Sequence, residues 1–290
     1  MSSPVWLITG ASNGLGLALC LRVLRGGHQV VASVRSKAKS ADAVQKIEQA
    51  GGSVIELDMT ESQASIAAKV KAVGHIDYLV NNAGYSILGA CEDISFEKSE
   101  KDATLQINTN FFGPLYTTQA ALPVMRAQRS GTIVMVSSGA ARDPLPSCSL
   151  YSASKAALEA ASEALAHEVA PHNIRVLIVE FGNFRTNFVS ALSDASGDAD
   201  KVSPHYDNSV GVVMRKFLSI HGKQMGDPER GVDRVFEAVT GEGMAGQITG
   251  KVSRLVLGKD CYDRMKKASE RSLADLSLQE EIAKSTAFPE

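Results

Sequence analysis

Short runs of consecutive apolar residues alternate along this chain with longer stretches whose apolar positions recur every three or four residues. The short runs are Val5–Thr9, Gln29–Val34, Ser53–Glu56, Ile76–Val80, Thr132–Val136, Ile174–Val179 and Arg254–Leu257. Several are apolar throughout, as parallel strands covered on both faces must be. The longer amphipathic stretches, Gly14–Arg25, Ala41–Ala50, Gln63–Val73, Asp102–Ala127, Ser152–Ala170 and Pro228–Thr240, predict helices between them. Strand and helix alternating over one core predict an α/β fold. It is a single domain with a doubly wound parallel sheet of about seven strands and helices on both faces. A ligand of such a sheet lies beyond the carboxyl ends of its strands. Asn81-Asn82-Ala83-Gly84, Ser137-Ser138 and Phe181-Gly182 each follow a predicted strand, so the topology brings them together at that edge.

One segment breaks the rhythm. Asn187 to Gly226 spans 40 residues, opening on the turn-rich Ser193–Asp200 and continuing into a possible helix at Val210–Ile220. Insertions of this length are functional lids or solvated excursions, and both readings stand here. Residues 259–290 predict a helical tail.

With 290 residues, 44% of them hydrophobic, and no linker or repeat, the chain can bury one large core. A net charge of −2 gives no electrostatic reason to expect nucleic acid or an anionic membrane as partner. The cysteines Cys20, Cys91, Cys148 and Cys261 lie far apart, and the six histidines show no ligand spacing, so no metal site is expected. The N-terminus lacks a basic leader, and no apolar stretch approaches the length of a spanning helix. The expectation is a soluble, reduced, cytoplasmic protein.

Candidate chemistry sharpens the picture. After the first apolar run comes Thr9-Gly10-Ala11-Ser12-Asn13-Gly14-Leu15-Gly16, then an apolar helix start. Glycines there let the backbone turn tightly and approach a pyrophosphate at the positive end of the helix. The alternative is a tight turn without a ligand. Further along, Tyr151 and Lys155 stand four apart on a predicted helix and share one face, with Ser138 thirteen positions upstream of the tyrosine. A phenol of ordinary pKa about 10 is a poor acid or base at neutral pH. A neighbouring ammonium lowers that pKa and makes it usable.

Taken together, Thr9-Gly10-x-x-x-Gly14-x-Gly16, Asn81-Asn82-Ala83-Gly84, Asn110, Ser138 and Tyr151-x-x-x-Lys155 resemble the short-chain dehydrogenase/reductase family, in its order and spacing, from about Val5 to Leu257. Arg254–Asp260 resembles a fungal-type, NADP(H)-dependent branch. The resemblance implies a Rossmann-like fold and a ketoreductase or alcohol dehydrogenase acting on a carbonyl or secondary alcohol, as a homodimer or homotetramer. It assigns proton donation to Tyr151, lowering of the phenol pKa and a bond to the nicotinamide ribose to Lys155, and polarisation of the substrate oxygen to Ser138. Asn110 would hold a relay water behind the lysine; Asn108 is the rival for that role. Cofactor contacts fall on Gly10, Ser12, Asn13, Gly14, Leu15, Gly16, Asp58, Met59, Asn81, Ala83, Gly84, Gly182, Phe184 and Thr186, besides Tyr151 and Lys155. The family's Pro-Gly is Phe181-Gly182 here, which would loosen a turn beside the nicotinamide. The resemblance makes Asn187–Gly226 a substrate cover.

Cofactor choice is read after the second strand. Val34-Arg35-Ser36-Lys37 has no carboxylate until Asp42, where an NAD-binding chain would place one for the ribose 2′-hydroxyl. A guanidinium at Arg35 suits a 2′-phosphate, so NADP(H) is expected, against a merely solvated basic turn. Two other readings remain beside the oxidoreductase: an epimerase or isomerase of the same fold without net redox, and a dinucleotide-sensing regulatory protein.

Overall fold

The computed structural model describes residues 3–94, 103–189 and 202–288. Seven parallel strands form one sheet in the order β3-β2-β1-β4-β5-β6-β7. They are β1 (Val5–Ile8), β2 (Gln29–Val34), β3 (Ser53–Glu56), β4 (Tyr78–Asn81), β5 (Gly131–Ser138), β6 (Ile174–Phe181) and β7 (Arg254–Leu257). The order reverses between β1 and β4, which opens a crevice at the carboxyl edge. The helices are α1 (Gly14–Arg25), α2 (Ala41–Gln49), α3 (Gln63–Val73), α4 (Gly113–Gln128), α5 (Ser149–Val169), α6 (Val212–Ser219), α7 (Pro228–Thr240), α8 (Gly243–Gly246) and α9 (Lys259–Lys284).

Alternating residues of the strands feed two cores, one on each face. Trp6 and Ile8 of β1 pack with Leu19 and Val23 of α1 and with Val235 and Phe236 of α7. Leu7, between them, packs on the other face with Ile66 of α3, Met125 of α4 and Leu158 of α5. A third apolar cluster joins Leu88, Cys148, Val189, Val210 and Met214 above the carboxyl edge.

The expected helix Asp102–Ala127 is not continuous. Helical residues 103–107 run into a π-helix at Asn108–Phe112, and α4 follows. The wider turn swings Asn110 inward, where its amide is fully buried and hydrogen-bonded. β5 and β6 run past their apolar stretches to Ser138 and Phe181, because Ser137 and Glu180 find partners on neighbouring elements. The expected Val210–Ile220 helix divides into a π-helix at Asp207–Gly211 and α6. Ser193–Asp200 lies outside the described residues.

Candidate active site

The crevice holds a cleft of about 910 Å³. Of the candidate catalytic and cofactor-contacting residues, all but Asn81, Asn110 and its rival Asn108 border it.

One end is built by the glycine turn. Gly10 has φ of +70°, and a Cβ there would stand 2.7 Å from Ala83 Cα. A Cβ on Gly16 would stand 2.3 Å from the Gly10 carbonyl oxygen. Asn82, given no role of its own in the sequence motif, closes the turn by donating to the carbonyls of Thr9 at 2.9 Å and Gly10 at 3.1 Å. Helix α1 begins with no side-chain cap and no acidic residue in its first turn, so its leading backbone amides are left for a ligand. A glycine cradle opening on such a helix fits a pyrophosphate. Asn81, by contrast, turns away from the cleft: its Oδ1 accepts from Thr117 Oγ1 at 2.5 Å and its Nδ2 donates to Thr118 Oγ1 at 2.9 Å. It ties β4 to α4.

Beyond the turn the cleft is basic. Arg35 borders it together with Ser36, Lys39 and Ser40, and among the described residues neither cation has a carboxylate partner. Glu56, the nearest acidic side chain on β3, accepts instead from the Lys37 backbone amide at 2.7 Å. Lys39 stands four positions after Arg35; that spacing was the signal available in the sequence. Asp58 also borders the cleft, with Oδ1 accepting from Thr60 N at 2.9 Å and Thr60 Oγ1 at 2.8 Å.

At the other end stand Ser138, Tyr151 and Lys155. Ser138 closes β5, and α5 brings the other two to the same wall. Lys155 is buried and donates to the Val136 carbonyl at 2.8 Å, with Nζ 6.0 Å from the centroid of the Tyr151 ring. Burial pushes the phenol up to about 12, which a hydrogen bond from Ser138 only partly offsets. Burial likewise brings the Lys155 ammonium down to about 8, opposed by the negative charge of Glu159. The phenol is set here by its own burial and by Ser138. The lysine is drawn toward the strand end, and desolvation dominates at the tyrosine. Tyr151 therefore keeps its proton at neutral pH, as a proton donor must.

Asn110 supports this wall from behind. Its Nδ2 donates to the Tyr85 carbonyl at 2.8 Å and to Ser154 Oγ at 3.0 Å, while Oδ1 accepts from the Tyr85 amide at 3.0 Å. A Cβ on Gly84 would lie 3.1 Å from Asn110 Oδ1 and 3.3 Å from Lys155 Nζ, so the three meet at one point. Asn108 is only partly buried at the start of the same turn.

The Phe181-Gly182 turn is not loose. Phe181 packs edge-on against Phe184 at 5.1 Å, and Gly182 N donates to the Leu257 carbonyl at 2.9 Å. Asp260, from the first turn of α9, accepts from Asn183 and stands where a Gly182 Cβ would fall. Phe184 directs its ring at Gly226 and Gly231, and Thr186 faces Gly14 across the cleft. The remaining wall is apolar: Ile87, Leu88, Leu145, Phe188 and Phe217 border the cleft, and the Phe188 ring lies 6.0 Å from that of Tyr151. Burial raises the Cys148 thiol, which stays protonated. No group of metal-ligating side chains occurs among the described residues. No described helix is long and apolar enough to cross a membrane.

Similarity to known proteins runs along most of the chain. The family model for short chain dehydrogenase matches residues 4–197. Oxidoreductase claN of Passalora fulva is 45% identical over 191 residues, covering 65% of this chain and 86% of its own. Oxidoreductase BOA17 of Botryotinia fuckeliana is 32% identical over 272 residues, covering 92% and 93%. The crystal structure of a short-chain dehydrogenase from Streptomyces avermitilis has a TM-score of 0.83 at 33% identity, covering 99% of this chain and 100% of that one.

Proposed function

The chain belongs to the short-chain dehydrogenase family, and from that premise we propose that it is an NADP(H)-dependent oxidoreductase interconverting a carbonyl and a secondary alcohol on a lipophilic substrate. One observation carries the reading: Ser138, Tyr151 and Lys155 share a wall at one end of a cleft whose other end is a glycine turn flanked by Arg35 and Lys39. The glycine turn and the start of α1 would hold the pyrophosphate. Arg35 and Lys39 would hold the 2′-phosphate, with Ser36 and Ser40 as hydroxyl donors. Asp58 and Met59 would border the adenine, and Phe184 and Thr186 the nicotinamide.

The bound dinucleotide supplies the hydride. The protein's part is the proton and the alignment. Ser138 donates a hydrogen bond to the substrate oxygen and polarises the carbonyl. Tyr151 gives its phenolic proton to that oxygen as negative charge develops there. Lys155 supplies positive charge beside the phenolate that is left, and Asn110 keeps the Tyr85 turn and the lysine in register. Apolar side chains around the reacting carbon exclude water from the step.

The described end of the Asn187–Gly226 segment supports its role as a cover, since Phe217 of α6 borders the cleft while Met214 is anchored in the third apolar cluster. Self-association belongs to the same reading. Leu273, Leu276, Leu278 and Ile282 of α9 are all more than 60% exposed. The first half of α9, with five basic and three acidic residues, carries a net charge of +2 and the second, with one basic and three acidic, −2, so two antiparallel copies would set opposite net charges side by side. A reducing, cytoplasmic setting fits four unpaired cysteines. The test is NADPH oxidation against a panel of steroid, retinoid, quinone and polyketide carbonyls. The expected result is one alcohol formed per NADPH consumed. Turnover of substrate without net NADPH loss would point to an epimerase.

A further inference from the structure

Behind the lysine lies a cluster of charges, two of its carboxylates buried, that the proposed chemistry does not use. Glu159 stands one helical turn after Lys155 on α5 and is 4% exposed. Its Oε1 accepts from Ser137 Oγ at 2.5 Å, and its Oε2 is bound by Arg254 of β7. Arg254 reaches two further carboxylates, Glu180 of β6 at 2.7 Å and Glu163, a turn further along α5, at 2.7 Å. Arg142 approaches the same Glu180 oxygen at 3.8 Å. Two strands and one helix are therefore fastened together by ionic contacts, and the Ser137 hydrogen bond adds β5 at the reaction end of the cleft.

Such an arrangement is costly to bury and adds little to stability over a well-packed apolar core. Its position suggests what it does instead. Ser137, held by Glu159, is the immediate neighbour of Ser138. Val136, one residue earlier, accepts the hydrogen bond from Lys155. Glu159 thus touches neither cleft nor substrate, yet it fixes the strand end on which both the serine and the lysine depend. It is also the only carboxylate within a turn of Lys155 on the same helix face. Glu159 shares Arg254 with Glu180 and Glu163, and Glu180 is also approached by Arg142, so three carboxylates face two guanidinium groups and the cluster keeps a net negative charge one helical turn from Lys155.

We propose that Glu159 is a positioning residue: through Ser137 and Arg254 it fixes the end of β5, and its negative charge holds Lys155 in the ammonium form that the tyrosine needs. The inference rests on the reading of Tyr151 and Lys155 as proton donor and partner. The electrostatic side of it agrees with the direction in which Glu159 acts on Lys155, against the burial that favours the neutral amine. Residues four apart on a helix are neighbours, and an opposite charge within about 4–6 Å moves a pKa by about one to three pH units.

The test compares Glu159→Gln, isosteric but neutral, with Glu159→Asp, which keeps the charge. Carbonyl reduction is measured against pH, and Lys155 is titrated directly by NMR of its Cε. In Glu159→Gln the alkaline limb of kcat/KM and the Lys155 midpoint should both fall by about one pH unit. In Glu159→Asp they should stay near the wild-type values. Wild-type Lys155 should also report, as a second and acidic step in its Cε shift, the protonation of Glu159. This last reading needs no variant to fold. A lower melting temperature in Glu159→Gln with an unmoved limb and an unmoved midpoint would overturn the proposal, as would the absence of the acidic step. The NMR titration does not depend on turnover. A wild-type protein inactive with NADPH but showing the coupled titration would therefore refute the proposed function and not the coupling.

Discussion

Asp260 accepts two hydrogen bonds from Asn183, one from its backbone amide and one from its side-chain amide, both at 2.9 Å. The contact joins the first turn of α9 to the turn after β6, 77 positions earlier. A proline at position 181 would stiffen that turn locally; here a carboxylate from the C-terminal helix does so at long range. Asp260→Ala should lower stability by about 1–2 kcal/mol, at the low end for bonds to a charged acceptor because the site is exposed. It should also weaken NADPH binding severalfold. Thermal melting and cofactor titration check both, and an unchanged dissociation constant would mean that the turn does not depend on α9.

The basic end of the cleft predicts cofactor choice. Arg35→Asp places a carboxylate where a 2′-phosphate would lie and should reverse the preference from NADPH to NADH. Lys39→Ala, which only removes a charge, should weaken NADPH by about tenfold and leave NADH nearly unchanged. Fluorescence titration with both dinucleotides separates these outcomes. A wild-type preference for NADH would contradict the assignment.

Gly84 sits against both Asn110 and Lys155. In Gly84→Ala the new methyl would need each of them to give by a few tenths of an ångström. Small misplacements of this kind cost up to about a hundredfold in rate. The expected result is a kcat reduced by about tenfold or more with a melting temperature close to that of the wild type. A variant as fast as the wild type would show that the alignment of the lysine is not limiting.

The pH profile follows from two opposite shifts. Lys155, brought down to about 8 from 10.5, is charged below that pH and neutral above it. Tyr151, pushed up to about 12, keeps its proton throughout the working range. Reduction should therefore be flat on the acid side of the lysine and fall as pH rises through about 8. The stability term has its own sign. Between about 8 and 10.5 the unfolded chain binds a proton at this lysine that the folded chain has released, so its contribution to stability rises with pH across that window. Measurement of kcat/KM against pH checks the first statement, and an alkaline limb at the ordinary lysine value would contradict it.

Much of this was legible from local pattern. β2, β3 and β7 are bounded as their apolar runs predict, and α1, α3 and α7 as their periodicity predicts, because each ends at a nearby turn former. What was not legible depends on partners far along the chain. The π-helix around Asn110 exists to bring one amide to Tyr85, and nothing in residues 102–127 alone signals it. Ser137 and Glu180 lie in strands although polar, because Glu159 and Arg254 satisfy them from other elements. The glycine motif pointed to the cleft, but the bonds from Asn82 that hold the turn shut come from another strand end. The raised phenol of Tyr151 was hidden for the same reason: sequence spacing shows the neighbouring charge and not the burial that outweighs it.

In the proposed function this cleft moves a hydride from a nicotinamide to a carbonyl carbon while Tyr151 delivers the proton. This is tested most directly by following deuterium from NADPH carrying deuterium at both C4 positions into the product alcohol by mass spectrometry, in the wild type and in Tyr151→Phe. The account predicts one deuterium on the former carbonyl carbon for each NADPH consumed. In the phenylalanine variant it predicts NADPH bound as in the wild type but turnover lower by about 10²–10⁴-fold. Product formed without deuterium, or a Tyr151→Phe variant that turns over at the wild-type rate, would contradict it.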